Sequence, residues 1–295
     1  MALLIQTVSS GLLLGGIYAL LSIGLSLIFG VVRVINFAQG ELVMLGGFFT
    51  YILWEQFGLD PYISILAVAP ALFLIGVVIQ RFLLQPLQDR SANMKIFATF
   101  ALFIVLQNLA LLIWGATPRT VTTAYTSATI VVGNINISVP RLLAFAVALL
   151  FIGGLILVMK ATSVGRALRA VAEDRSTAEL MGVPVTRVFL IAFGTGAALA
   201  GVAGSVMAPF TSVFPTVGTL YTLIAFIVVI LGGLGSMLGA LVGGIVLGVV
   251  ELLAGTYWDP GLQQVVLFGI FIAVLLIRPR GLFGQAQGTE EIGLR

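Results

Sequence analysis

Residues 160–187 read KATSVGRALRAVAEDRSTAELMGVPVTR, the one long polar stretch in a chain of 295 residues that otherwise avoids charge. It holds Lys160, Arg166, Arg169, Arg175 and Arg187 together with Glu173, Asp174 and Glu179, whereas residues 188–250 carry no formal charge. A basic segment between two apolar spans marks the cytoplasmic face of a membrane protein. Within it, Ala170 to Met181 is expected to form a short amphipathic helix. Val171, Ala178 and Met181 then share one face at helical spacing, and Glu173, Asp174 and Arg175 turn to solvent or to a partner. Gly182 and Pro184 stop it.

The composition agrees with this reading. Hydrophobic residues make up 60% of the chain and charged residues 8%, with a mean hydropathy of +1.20. A soluble surface needs roughly 25% charge or more. The net charge of +3 and the pI near 9.5 would suggest nucleic acid in a soluble domain, but these basic residues sit in short loops, where they orient the protein, and no nucleic-acid partner is expected. The chain has neither Cys nor His. Disulfides, thiolate sites and the commonest zinc, haem and triad chemistries therefore lose their usual residues, and neither a metal nor another cofactor is expected.

About 20 apolar residues carry a helix across some 30 Å of hydrocarbon. Charge-poor candidates are 3–29, 35–57, 62–84, 96–115, 142–159, 188–208, 221–234, 237–254 and 262–277. The first lacks a basic leader and a small-residue cleavage site, so it reads as a retained helix. Placing residues 85–95, 160–187 and the tail from Arg278 inside puts twelve of the 14 basic residues in the cytoplasm, leaving Arg119 and Arg141 outside. That parity requires a break at GGLGS, residues 232–236, and an external N-terminus. The expectation is an all-α, polytopic integral membrane bundle of about eight to ten helices with broken or re-entrant segments. One membrane domain covers residues 1–284, and 285–295 form a short cytoplasmic tail. The Thr- and Val-rich loop 116–140, with turn residues Gly133 and Asn134, reads as an external loop carrying a small strand pair.

Two interior features stand out. Glycines number 35; Gly11 with Gly15, Gly239 with Gly243 and Gly244 with Gly248 have the spacing that lets membrane helices approach closely. Gly232, Gly233 and Gly235, with Gly239 and Gly243, are candidates for packing or gating. The second feature is Asn36-Phe37-Ala38-Gln39-Gly40-Glu41, the most polar run inside an apolar passage. Asn36 can cap a helix with Gln39 three residues on, and Glu41 suits the first turn. A helix that starts inside a membrane also presents unpaired N–H groups to substrate, so Asn36, Gln39, Gly40 and Glu41 are candidate substrate-path residues. Glu41 and Glu251 are acidic residues within the apolar spans, each placeable near a helix end.

Lys95 and Lys160, the only lysines, each follow Met, so no G-x-x-x-x-G-K-[ST] phosphate loop exists and nucleotide hydrolysis by that route is excluded. The blocks GGIYALLSIGLSLIFGVVRVINFAQGELVMLGGFFTYIL, GRALRAVAEDRSTAELMGVPVTRVFLIAFGTGAALAGVAGSVMAP and VVILGGLGSMLGALVGGIVLGVVE together resemble the LivH-type permease of bacterial branched-chain amino acid ABC transporters. The resemblance implies a non-enzymatic permease in the inner membrane, moving a small amino acid (leucine, isoleucine or valine) through the lipid bilayer. It also implies a second LivM-type permease, two cytoplasmic ATPase subunits that hydrolyse ATP, and a periplasmic substrate-binding protein. In that reading Arg169, Glu173, Asp174, Ala178, Glu179, Met181 and Gly182 belong to the ATPase coupling helix. The family's NFAHG reads NFAQG here, with Gln39 in place of His. Relatives that import urea or short amides share the blocks, and a stand-alone secondary carrier is the other alternative.

The charge count predicts sidedness. Single cysteines placed in this Cys-free chain as T126C and S176C should behave oppositely: an impermeant thiol reagent on intact cells labels T126C and spares S176C. Labelling of S176C alone would invert the topology.

Overall fold

The computed structural model describes residues 1–133, 135–278 and 281–283; the proposed tail, 285–295, lies outside them. The fold is an all-helical membrane bundle with one two-stranded ribbon. In chain order the helices are α1 (Ala2–Val32), α2 (Gln39–Phe57), α3 (Pro61–Ile79), α4 (Ala92–Trp114), α5 (Val139–Ala161), α6 (Ser163–Glu173), α7 (Arg175–Leu180), α8 (Val185–Met207), α9 (Val217–Gly232), α10 (Met237–Tyr257) and α11 (Gln263–Ile277). Six stretches are long and apolar enough to cross a membrane: Leu3–Val32, Pro61–Leu87, Ala92–Trp114, Val139–Ala161, Val185–Met207 and Met237–Tyr257. α9 and α11 are apolar but shorter, and α2 carries Glu41 and Glu55. Each of the nine expected passages is a helix.

Strands β1 (Thr129–Val132) and β2 (Ile135–Ser138) pair antiparallel with Val132 opposite Ile135. Gln6 of α1 exchanges two hydrogen bonds with the Asn136 backbone, each 2.6 Å. Thr7 meets Thr256 near the end of α10, and the Tyr62 hydroxyl at the start of α3 donates to the Pro140 carbonyl at 2.7 Å. These contacts gather the hairpin, the N-terminus and the loops after α2, α4 and α10 at one end. At the opposite end lie the end of α1, the start of α4, α6 and the α9–α10 turn, which together line one cavity. Gly233 and Gly235 make that turn with φ of 103° and 82°, and Ser236 caps α10 by accepting from Gly239 N–H. The backbone conformation a side chain resists is what breaks the apolar run at GGLGS.

α1 is the axis of the bundle. It lies along α10 and also touches α8, α5 and α9. A Cβ on Gly11 would fall 2.7 Å from Val249 Cα, and one on Gly15 would fall 2.6 Å from Ile245 Cα. Backbones this close leave no room for a side chain. Gly15→Ala should therefore cost about 1–3 kcal/mol through overpacking. Gly153→Ala, which meets nothing within 4 Å, should be neutral or stabilising by up to about 1 kcal/mol; thermal melts in detergent separate the two.

Candidate functional site

Val32 ends α1, and Arg33 reverses the chain in the left-handed region at φ 54°. Residues 34–38 have no helical structure. At Gln39 the side chain donates 3.2 Å to the carbonyl of Leu21, eleven residues back from Val32, so the chain has returned about 16 Å alongside α1 at 1.5 Å per residue. The helix begins there, inside the bundle. This corrects the expected cap: α2 starts at Gln39 with Ala38 at the N-cap, not at Asn36. Asn36 instead closes a turn, its Oδ1 accepting from Ala38 N–H at 3.1 Å and its Nδ2 donating to Gln39 Oε1 at 3.2 Å. Phe37 is packed against Phe100 and Phe226, which anchors the turn before α2.

The first turn of α9 meets this start. Gly40 N–H donates to Thr222 Oγ1 at 3.0 Å, and that hydroxyl donates to the Phe37 carbonyl at 3.3 Å. Gly40 must be glycine, since a side chain would strike the Gly218 carbonyl and Thr222. Glu41 packs its carboxylate on Gly218. Neither of its oxygens has a hydrogen-bond partner among the described residues. The carboxyl group instead sits in the first turns of two helices, α2 and α9. Asn36, Gln39 and Glu41 are fully buried and line neither of the two described cavities. Of the glycines, Gly232 and Gly239 bring α9 and α10 together backbone to backbone, and Gly243 rests near the Val228 carbonyl.

At the α6 end a cavity of about 500 Å³ opens between α1, α4, α6 and the α9–α10 turn. Ser26, Arg33, Lys95, Arg169, Glu173 and Ser236 supply its polar walls. Thus Arg169 and Glu173 of the expected coupling helix face a cavity. The helix itself is two helices, α6 and α7, broken at Asp174 (φ −149°, ψ 112°). Asp174 caps α7, accepting from Thr177 N–H at 2.9 Å and Ser176 Oγ at 2.6 Å. These bonds, Ser176 first, hold its carboxyl below the usual range. The D-R-S-T cap signal outweighs the continuous helical pattern assumed from spacing.

The break also changes which face is shared. Val171 and Ala178 are buried, whereas Met181 is 79% exposed and joins Leu180, 88% exposed. Glu179 is exposed as well. Gly182 ends α7 at φ 79°, and Val183 N–H returns to the Ala178 carbonyl at 3.0 Å. Arg175 lies 3.6 Å from Asp89 after α3 and stacks over Phe189 of α8 at 5.6 Å, so α7 is tied to both helices. Leu180 is a residue that spacing alone did not single out.

A family model for the permease component of the branched-chain amino acid transport system matches residues 7–275. The chain belongs to this family. It is 32% identical over 296 residues to the high-affinity branched-chain amino acid transport system permease protein BraD of Pseudomonas aeruginosa, covering 96% of each chain. With LivH of Escherichia coli K12 the identity is 30% over 299 residues, again 96% of each. A partial likeness, 29% over 139 residues, extends to the permease LivM of Salmonella typhimurium and covers 43% of this chain and 32% of that one. No solved structure matches. The permease's cap at Asp174 is testable: Asp174→Ala should speed amide exchange over residues 175–180 several-fold, and Asp174→Asn should restore most of the protection.

Proposed function

We propose that this permease forms the translocation path of an ABC importer for leucine, isoleucine and valine in a bacterial inner membrane, with ATP hydrolysed by two separate cytoplasmic subunits. The observation that carries the reading is the family match over residues 7–275. The likeness to LivM supports a second, related permease beside this one, and a periplasmic binding protein would deliver substrate to the hairpin end. The α6 end is cytoplasmic in this reading, in agreement with its basic residues.

The α6–α7 corner supports a mechanical role. Leu180 and Met181 present exposed apolar surface, the kind of patch that a soluble partner covers. α6 walls the cavity through Arg169 and Glu173, and α7 is pinned to the α3 turn and to α8. Movement of an ATPase pressed on α7 would therefore shift α6 and reshape the cavity. The turn at 36–41 serves as the intramembrane break about which α2 and α9 rearrange, with Asn36, Gln39, Gly40 and Glu41 bounding the path as it opens.

Proteoliposomes of the complete complex test this. Unmodified protein should take up leucine and valine, in preference to urea, only with ATP inside the cytoplasmic compartment. Replacing Glu179 and Met181 together with Lys and Asp should cut uptake at least fivefold and abolish stimulation of ATP hydrolysis by the binding protein, with insertion unchanged. Wild-type coupling in that variant would place the ATPase contact elsewhere.

A further inference from the structure

α4 is the least buried of the six spanning stretches. It is held chiefly by α2 and by the π-turn, residues 80–84, that follows α3. Two other spans show what a lipid-facing surface looks like in this chain: every exposed residue of α3 is apolar, and so is every exposed residue of α5 except Lys160 near its end. α4 breaks that pattern. Gln107 is half-buried and Asn108 exposed, four and five residues beyond Phe103 at the middle of the helix. At 1.5 Å per residue both amides stand about 6–8 Å from the midpoint, inside the roughly 15 Å that hydrocarbon extends from the bilayer centre.

The amides belong to a stripe shared with α9. Gln107 Nε2 donates to Oγ1 of the exposed Thr219 at 3.2 Å, and Asn108 Nδ2 donates to the Ile104 carbonyl one turn back at 2.8 Å. Neither amide oxygen accepts a hydrogen bond from a described residue. Acyl chains offer no donor, so these oxygens would lose in lipid what water gave them. A neighbouring membrane helix can replace it, because Ser, Thr, Asn and Gln side chains hydrogen-bond across helix pairs.

Position and size agree with such a neighbour. Phe37 packs on Phe100 of α4 and Phe226 of α9, with ring centres 6.1 and 5.0 Å away, so the two helices flank the 36–41 turn. With 23 residues in α4 and 16 in α9, the pair is about 34 and 24 Å long and presents about 600 Å² at a width of about 10 Å per helix. Two such patches bury more than the roughly 1,000 Å² that a specific interface requires.

We propose that the α4–α9 face is where the second, related permease docks within the membrane, its hydroxyl or amide side chains bonding Gln107, Asn108 and Thr219. The inference rests on the permease reading. The path bounded by the 36–41 turn then runs between the two subunits, with α4 as its near wall.

Photocross-linking in the purified complete complex tests the face. Benzoylphenylalanine replacing Asn108 should join this chain to the second permease, identified by the mass of the product, at least fivefold more than the same residue replacing Leu66 of α3 or Leu157 of α5, both exposed and apolar. Gln107→Leu combined with Asn108→Leu should lower the second permease that co-purifies with this chain at least threefold, with membrane insertion unchanged. No permease product from position 108, a product with a second copy of this chain, or an equal yield from position 66 or 157 overturns the docking face. Unchanged co-purification overturns the role of the amides. ATP-driven leucine uptake by the unmodified complex is scored separately. Uptake without the cross-link removes the docking face and leaves the permease reading; the cross-link without uptake removes the leucine importer and leaves the docking face.

Discussion

Backbone-to-backbone contact between α1 and α10 is the constraint on which the structure turns. In lipid there is no hydrophobic force to drive two apolar helices together, because the acyl chains are as apolar as leucine. Association depends on close packing, and glycines supply it. Gly11 and Gly15 on α1 oppose the backbone of Val249 and Ile245, and Gly244 and Gly248 on α10 oppose Ala19 and Gly15. Once α1 is held this closely, its remaining faces are committed to α8, α5 and α9.

That commitment makes a polar interior tolerable. The chain can turn back at Arg33 and start α2 within the bundle only because its unpaired backbone lies against protein and not lipid. Asn36 and Thr222 then satisfy backbone groups of the turn, and Gln39 ties it to the Leu21 carbonyl of α1. Glu41 goes without hydrogen bonds and relies on two helix starts. On another face of α1, Ser22 and Ser26 are buried without a hydrogen-bond partner among the described residues.

The α6–α7 corner, proposed above as the coupling element, follows similar logic. Asp174 ends α6 and begins α7, so the apolar residues after it leave the buried face and appear at the surface. Leu180 and Met181 are exposed, and Arg169 and Glu173, one helix earlier, line the cavity. A single cap thus divides the segment into an outward part and an inward part.

By itself, the sequence determined the membrane class, the helical character of all nine expected passages, the strand pair and the break at GGLGS, because these depend on local composition, length and backbone preference. It pointed to the 36–41 run and to the α6–α7 segment on the same grounds. It did not show that α2 begins at Gln39, since that start is set by where Phe37 packs and by Leu21, 18 residues away in the chain. Nor did it show that Ser22 and Ser26 are buried without a partner among the described residues, because small polar residues are ordinary in an apolar helix. Only the tertiary structure decided which face of α1 meets which neighbour. That choice fixes whether a buried hydroxyl finds a carbonyl, another helix or nothing, and no local pattern encodes it.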